Sequence, residues 1–308
     1  MAFLDSEGQA FVDRILQSKV STVEEAFYEA SIWPDIVQSN PAYAWTRQMH
    51  FVNTPDRTCD GVNLSRDCGS ADYPGYCAVS AIANYTSRLG DELLPLDQRR
   101  EAFKFLVHFL ADANQPLHVG FIGDKGGNKL TTTPPWDHAV DKAGKKVAAP
   151  RPKPLHVQWD GHIIQYTYIK LGLDWKGLAD ALISRIKSSG ASWANVWHDP
   201  LSYATSSVNQ SSGLACDVAY KQAGSWIRDG QKLTKDYYED AAATALNQLT
   251  KSGLDIARAL NQIADEVKHS GDDESTDAGM TDDELFNYSD WENAAFSNDS
   301  ESELFFGP

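Results

Sequence analysis

Positive charge is what this sequence is short of: 27 Lys and Arg stand against 43 Asp and Glu in 308 residues, a formal net charge of −16. No basic stripe interrupts that balance, so the electrostatic footprint of a duplex-DNA binder is missing, and a nucleic-acid substrate would have to be held by metal ions and stacking. Long apolar runs are also absent. Nothing reaches the roughly 18 apolar residues of a membrane-spanning helix. The opening "MAFLDSEGQAF" lacks the basic and apolar regions of a signal peptide. Cysteine is scarce too. Cys59, Cys68 and Cys77 cluster in "CDGVNLSRDCGSADYPGYC", Cys216 lies far downstream, and the spacings fit no CxxC zinc knuckle. An even count in a loop-rich setting suits two disulfides and an oxidising compartment. Glycosylation sequons at Asn63, Asn84 and Asn209, with two more at Asn287 and Asn298, agree with that setting. The expectation is a chain secreted by ancestry, whose export signal is missing from the sequence.

The acidity is uneven. Between Gly271 and Pro308 there are 12 Asp and Glu and no Lys or Arg, which leaves residues 1–270 with a net charge of −4. Residues 271–308 therefore read as an acidic, disordered tail, and residues 1–270 as a single domain. Helical periodicity dominates that domain, over 8–19, 22–31, 77–89, 97–113, 158–171, 175–188, 214–225 and 235–267. Strand signals are confined to short pieces such as 129–132, and 131–154 reads as a long Pro- and Lys-rich loop with a weak central turn. The class is mostly α with short β pieces, its functional residues on helix ends and loops.

What is present in unusual density is metal-ligand chemistry. In "FKFLVHFLADANQPLHVGFIGDKGGN", residues 103–128, Phe103, Phe105, Leu106, Phe109 and Leu110 mark a buried helix face. His108 and Asp112 are four residues apart, so an imidazole and a carboxylate converge on one point. Pro116 breaks the helix, and His118 lies just past the break. A buried carboxylate without a partner is costly, so a cation is expected. "WPD" ends at Asp35, "RQMHFVN" carries His50, and "LHVQWDGH" repeats the four-residue spacing with His156 and Asp160. Seven N/O ligands of this kind suit a multinuclear zinc site with open positions for water and phosphate.

Taken in order, "WPD", "MHFVN", "RDCG", "FLVHFLAD", "NQPLHVG", "GGN" and "LHVQWD" resemble the S1/P1 family of zinc-dependent, single-strand-preferring nucleases with 3′-nucleotidase activity, from about Gly8 to about Ala264. The resemblance implies a helical domain of the S1/P1 nuclease and zinc phospholipase C type. It implies one zinc held by Asp35, His50, His108 and Asp112, and a second by His118, His156 and Asp160. Asp35 would also orient the attacking hydroxide. Phe51, Asn53 and Asn128 would form the nucleobase pocket, with Asn53 where many members have Asp. Disulfides Cys59–Cys216 and Cys68–Cys77 follow from it, as do a monomer and single-stranded nucleic acid or 3′-nucleotides as substrates. There are departures. Gln9 and Leu4 stand where the family has a His and the N-terminal Trp that bind a third zinc, so that site is expected to be lost. Gln38 replaces a Lys or Arg. The alternatives are a catalytically weak homologue that binds nucleotides or a protein partner, and a zinc phospholipase C-like lipid phosphodiesterase.

Overall fold

The structure is a computed structural model that describes residues 2–16, 22–136, 151–188 and 199–269, with the backbone also of 139–140, 146–147 and 270–272. The account concerns the first of two units, Met1–Gly271. Helix α1 (Ser6–Leu16) buries Phe11, Val12 and Ile15. Helix α2 (Val23–Val37) starts at Thr22, whose side chain accepts from the Glu25 amide. The pattern expected over 22–31 in fact runs through Pro34 to Val37. Proline removes one N–H from the ladder, which loosens the turn before Asp35 without ending the helix. A 3₁₀ helix, Pro41–His50, follows, begun by Asn40 accepting from the Ala42 amide. Its three-residue period escapes a search tuned to 3.6.

After the short α3 (Leu64–Asp67) come α4 (Ala78–Gly90) and α5 (Leu96–Asp112). Helix α5 buries Phe103, Phe105, Leu106, Phe109 and Leu110, as its periodicity predicts. Tyr85 of α4 stacks on Phe105 at 4.7 Å, and Trp33 of α2 meets the same ring edge-on at 5.2 Å. An aromatic layer thus fixes α2, α4 and α5 together.

The strand signal is real but starts two residues later and ends one later than expected. Strand β1 (Thr131–Thr133) begins a stretch that also holds a hairpin, β2 (Ala139–Val140) with β3 (Lys146–Val147), at the weak turn, and then β4 (Lys153–Pro154). Helix α6 (Leu155–Val157), a π turn at Gln158–His162, α7 (Ile163–Lys170) and α8 (Trp175–Ser188) follow. The helix expected over 214–225 is corrected. Helix α9 spans Pro200–Leu214 and gives way to a π turn, Ala215–Ala219, then to a hairpin of β5 (Lys221–Gln222) and β6 (Ser225–Trp226), turned by Ala223 and Gly224 at positive φ. Helix α9 hides from periodicity because the face it buries includes Ser207, Ser211 and Ser212. Strand β7 (Gln231–Lys232) pairs parallel with β1, whose other edge takes β4 antiparallel. Helix α10 (Lys235–Asp272) closes the unit and takes in the first two residues of the expected tail; residues 273–308 lie outside the described residues.

A second core gathers Leu117, Phe121, Leu155, Trp159, Tyr237 and Tyr238. Disulfides join Cys59 to Cys216 and Cys68 to Cys77. At the far side Asn261 of α10 accepts from the Asp5 amide and donates to the Phe3 carbonyl, both at 3.2 Å, while Lys268 pairs with Glu7 at 2.9 Å. Among the described residues no helix is long and apolar enough to cross a membrane.

Candidate metal centre

Five segments deliver seven side chains to one place. Asp35 stands in the last turn of α2, His50 ends the 3₁₀ helix, His108 and Asp112 lie on α5, His118 is in the 3₁₀ turn Pro116–Val119, and His156 and Asp160 sit on α6 and the π turn after it. Ligand atoms of Asp35, His50 and His108 fall within 4.8 Å of one another, and so do those of His118, His156 and Asp160.

In the first group His50 Nδ1 is 3.0 Å from His108 Nε2, 3.0 Å from Asp112 Oδ2 and 3.6 Å from Asp35 Oδ1. His108 Nε2 is 3.2 Å from Asp112 Oδ2 and 3.4 Å from Asp35 Oδ1. Zinc bonds of about 2.0–2.1 Å to N and O imply a tetrahedron with edges of about 3.3 Å. The four side chains reproduce those edges closely, so the donor set fits zinc in both chemistry and spacing. The second group is wider: Asp160 lies 3.3 Å from His156 Nε2 and 3.8 Å from His118 Nε2. Asp112 lies between the groups, its Oδ2 against His50 and His108 and its Oδ1 3.5 Å from His118 Nδ1, the ring nitrogen turned away from the second group.

What aims the rings is backbone. His108 Nδ1 donates to the Ser31 carbonyl of α2 at 2.7 Å. His118 Nδ1 donates to the His50 carbonyl at 2.8 Å, and His156 Nδ1 to the Gly126 carbonyl at 2.7 Å. Each bond fixes the tautomer and leaves the Nε2 lone pair pointing at the centre. Gln115 does the same for Asp160, donating to its Oδ1 at 2.7 Å. The glycine pair belongs to this apparatus. Gly126 and Gly127 have φ of +63° and +82°, and a Cβ on Gly126 would fall 2.4 Å from the Leu117 carbonyl oxygen. Only glycine lets the turn press its carbonyl onto His156.

Electrostatics follow the same pattern. Burial disfavours charge on His108, but the Asp112 carboxylate outweighs it and raises the imidazole well above its ordinary value. His118 is likewise disfavoured by burial yet pushed up to about 9 by Asp112 and Asp160. Burial wins at His156, which is lowered. Asp112, which burial alone would raise, is held well below the carboxylate range by His108 and His118. The open side of the centre is marked by Asp35, whose side chain is 62% exposed against 11% for Asp112.

The remaining residues are placed as follows. Phe51 and Asn53 are half-buried in the run after His50, which pairs with the His118 segment through Val52 N to His118 O and Thr54 N to Gly120 O, both 2.9 Å. Asn128 is exposed past the glycine turn and donates to the Lys125 carbonyl at 2.9 Å. Asn63, Asn84 and Asn209 are exposed, although Asn209 already accepts from the Val62 amide at 2.8 Å. Gln9 donates to Asp13 and joins neither ligand group; Gln38 donates to Asp35 Oδ1 at 3.1 Å. His162 contacts Gln158 and also stays outside both groups. Of Ser31, Gln115 and Gly126, which aim the ligands, the last two lay inside the quoted motifs "NQPLHVG" and "GGN" without being given that role, and Ser31 left no trace in the sequence.

The S1/P1 Nuclease family model matches residues 1–265. The chain is 31% identical to Endonuclease 4 of Arabidopsis thaliana over 257 residues, 78% of each chain. It is 30% identical to Nuclease P1 of Penicillium citrinum over 273 residues, covering 85% of this chain and 92% of that one. It is 27% identical to Nuclease S1 of Aspergillus oryzae over 281 residues, 85% and 87% of the two chains.

Proposed function

The chain belongs to the S1/P1 nuclease family, and from that premise we propose that it is a two-zinc phosphodiesterase that cleaves P–O3′ bonds of single-stranded DNA or RNA, and of 3′-nucleotides, to leave 5′-phosphates on the cut strand. The observation that carries this reading is the convergence of two ligand groups, Asp35, His50 and His108 with Asp112 against them, and His118, His156 and Asp160. Asp35, His50, His108 and Asp112 would hold one ion; His118, His156 and Asp160 the other. Bound zinc supplies Lewis acidity to the attacking water and to a phosphoryl oxygen. The protein's own part is orientation. Three imidazoles are aimed by carbonyls, Gln115 steadies Asp160, and the exposed Asp35 carboxylate orients the water against phosphorus as the P–O3′ bond breaks. Phe51 would stack the base, and Asn53 and Asn128 would read its edge. Neither Leu4 nor Gln9 offers a third-zinc ligand, so the count stays at two.

The two disulfides support an oxidising, extracellular destination, and the exposed Asn63, Asn84 and Asn209 are compatible with glycosylation there. The active species is proposed to be a monomer. The test is zinc content together with hydrolysis of single-stranded DNA, duplex DNA, 3′-AMP and phosphatidylcholine, before and after chelation. Two zinc ions per chain and chelator-sensitive cleavage of the first and third substrates are expected, and His108→Ala should lose at least one ion. Cleavage that survives zinc stripping, or a two-zinc protein that cuts neither substrate, would overturn the proposal.

A further inference from the structure

We infer that Arg47 is the residue that grips the substrate phosphate at the open side of the metal centre. The inference rests on the reading of that centre as a phosphodiesterase. Arg47 is exposed and sits three residues before His50 in the 3₁₀ helix, where residues i and i+3 eclipse one another. It therefore shares a face with a ligand. Its Nε donates to the Gln38 carbonyl at 3.1 Å, and the Gln38 side chain donates to Asp35 Oδ1, also at 3.1 Å. One residue thus links the guanidinium to the most exposed ligand of the centre.

The chemistry at this rim calls for a cation. Asp35 and Asp160 are the more exposed ligands, with side chains 62% and 39% accessible. A phosphate anion approaching two carboxylates needs a positive counterpart beside the metal ions. Gln38 is neutral, and its amide already serves Asp35. Arg47 meets the need because it is held by a carbonyl instead of a carboxylate. Arg66, Arg99, Arg100 and Arg258 all pair with acidic side chains. Arg47, like Arg14, Arg57, Arg185 and Arg228, forms no ion pair among the described residues, but of these Arg47 is the one tied through Gln38 to a ligand of the centre. With Nε engaged, its four Nη–H donors make no hydrogen bond among the described residues. A guanidinium fork suits two oxygens of one phosphate, and the bond to Gln38 orders it beforehand.

The competing role is structural. An arginine on a carbonyl at the end of α2 also completes that helix terminus. The two roles separate experimentally. Zinc-loaded wild type, Arg47→Ala, Arg47→Lys and, as an equal change of charge on α8, Arg185→Ala are compared in three measurements: affinity for inorganic phosphate, salt dependence of binding to a phosphorothioate oligothymidylate, and zinc content with thermal midpoint. Arg47→Ala should weaken phosphate binding about tenfold or more, the scale of one charge-assisted bond, and flatten the plot of log K against log salt by about 0.7, with zinc content and midpoint unchanged. Arg47→Lys should restore the slope and only part of the affinity, and Arg185→Ala should change neither. If Arg47→Ala keeps phosphate affinity and slope, or loses them only as zinc content and midpoint fall, Arg47 is a helix cap and the inference is wrong. A wild type that binds phosphate through Arg47 but cuts no strand upholds the grip and sinks the nuclease reading.

Discussion

His118 carries the pH signature of the centre. Its imidazole, at 6.5 when unperturbed, is pushed up to about 9 in the folded chain, and His108 is raised as well. A raised histidine stabilises the fold fully below its unfolded value and loses that contribution as pH climbs to the folded one. His156, which is lowered, acts only below 6.5, and Asp112, depressed, gives stability that is present above about 3.8 and lost as pH falls through its folded value. Chelator-treated protein should therefore show a thermal midpoint that falls between pH 6.5 and 9, while zinc-loaded protein, whose imidazoles are already deprotonated by the metal, should not. Scanning calorimetry at half-unit steps decides; a rise over that window in stripped protein contradicts the argument. The pairs His108–Asp112 and His156–Asp160 were legible in sequence because a four-residue spacing is a geometric statement. The carbonyls of Ser31, His50 and Gly126 were not, since a backbone acceptor has no letter of its own and becomes a site only when the fold brings it to a ring.

At the scale of elements, the junction of α5, α9 and α10 supports the turn into His118. Lys251 of α10 reaches Asp255, Ser207 and Asn114 at 2.7, 2.7 and 2.9 Å, and Gln248 donates to the Asn114 carbonyl at 2.7 Å. Asp255 is 1% exposed. Replacing Lys251 with Ala leaves that carboxylate with Arg258 at 3.3 Å and the Asn114 amide at 3.4 Å as partners, so the cost is that of one charge-assisted bond, about 2 kcal/mol, and stays below the about 3–5 kcal/mol of a buried charge left alone. Urea unfolding of Lys251→Ala should show a loss of that size together with weaker zinc retention; a loss under about 1 kcal/mol would mean the junction is slack. None of this interface was visible beforehand. Helix α5 announced itself through phenylalanines and leucines, but α9 buries serines, so its face carried no apolar period. The helix expected over 214–225 failed where a π turn and a positive-φ pair redirect the chain, and the one expected to stop at 31 continued because a single lost N–H is a small defect in a helix packed on an aromatic layer.

Over the whole molecule, Cys59–Cys216 joins the segment after His50 to the π turn that follows α9 across 157 residues, while Cys68–Cys77 spans nine. The loop-entropy relation gives about 5 and about 2.5 kcal/mol for the two. Paired serine substitutions should preserve that order in chemical unfolding, and equal losses would rule the relation out here. The pairing was available in sequence only through family resemblance, since four cysteines admit three connectivities. The contact of Phe3 and Asp5 with Asn261 has a topological consequence. It brings the first described segment back against the last described helix, so within the first unit the backbone runs nearly as a ring. Leu93, between α4 and α5, is 95% exposed. Opening such a ring there and sealing it at its natural meeting point would read out α5 with its two ligands ahead of Asp35 and His50, and the same seven side chains would still converge. What arranges the centre is adjacency in space, and the order of synthesis is incidental to it.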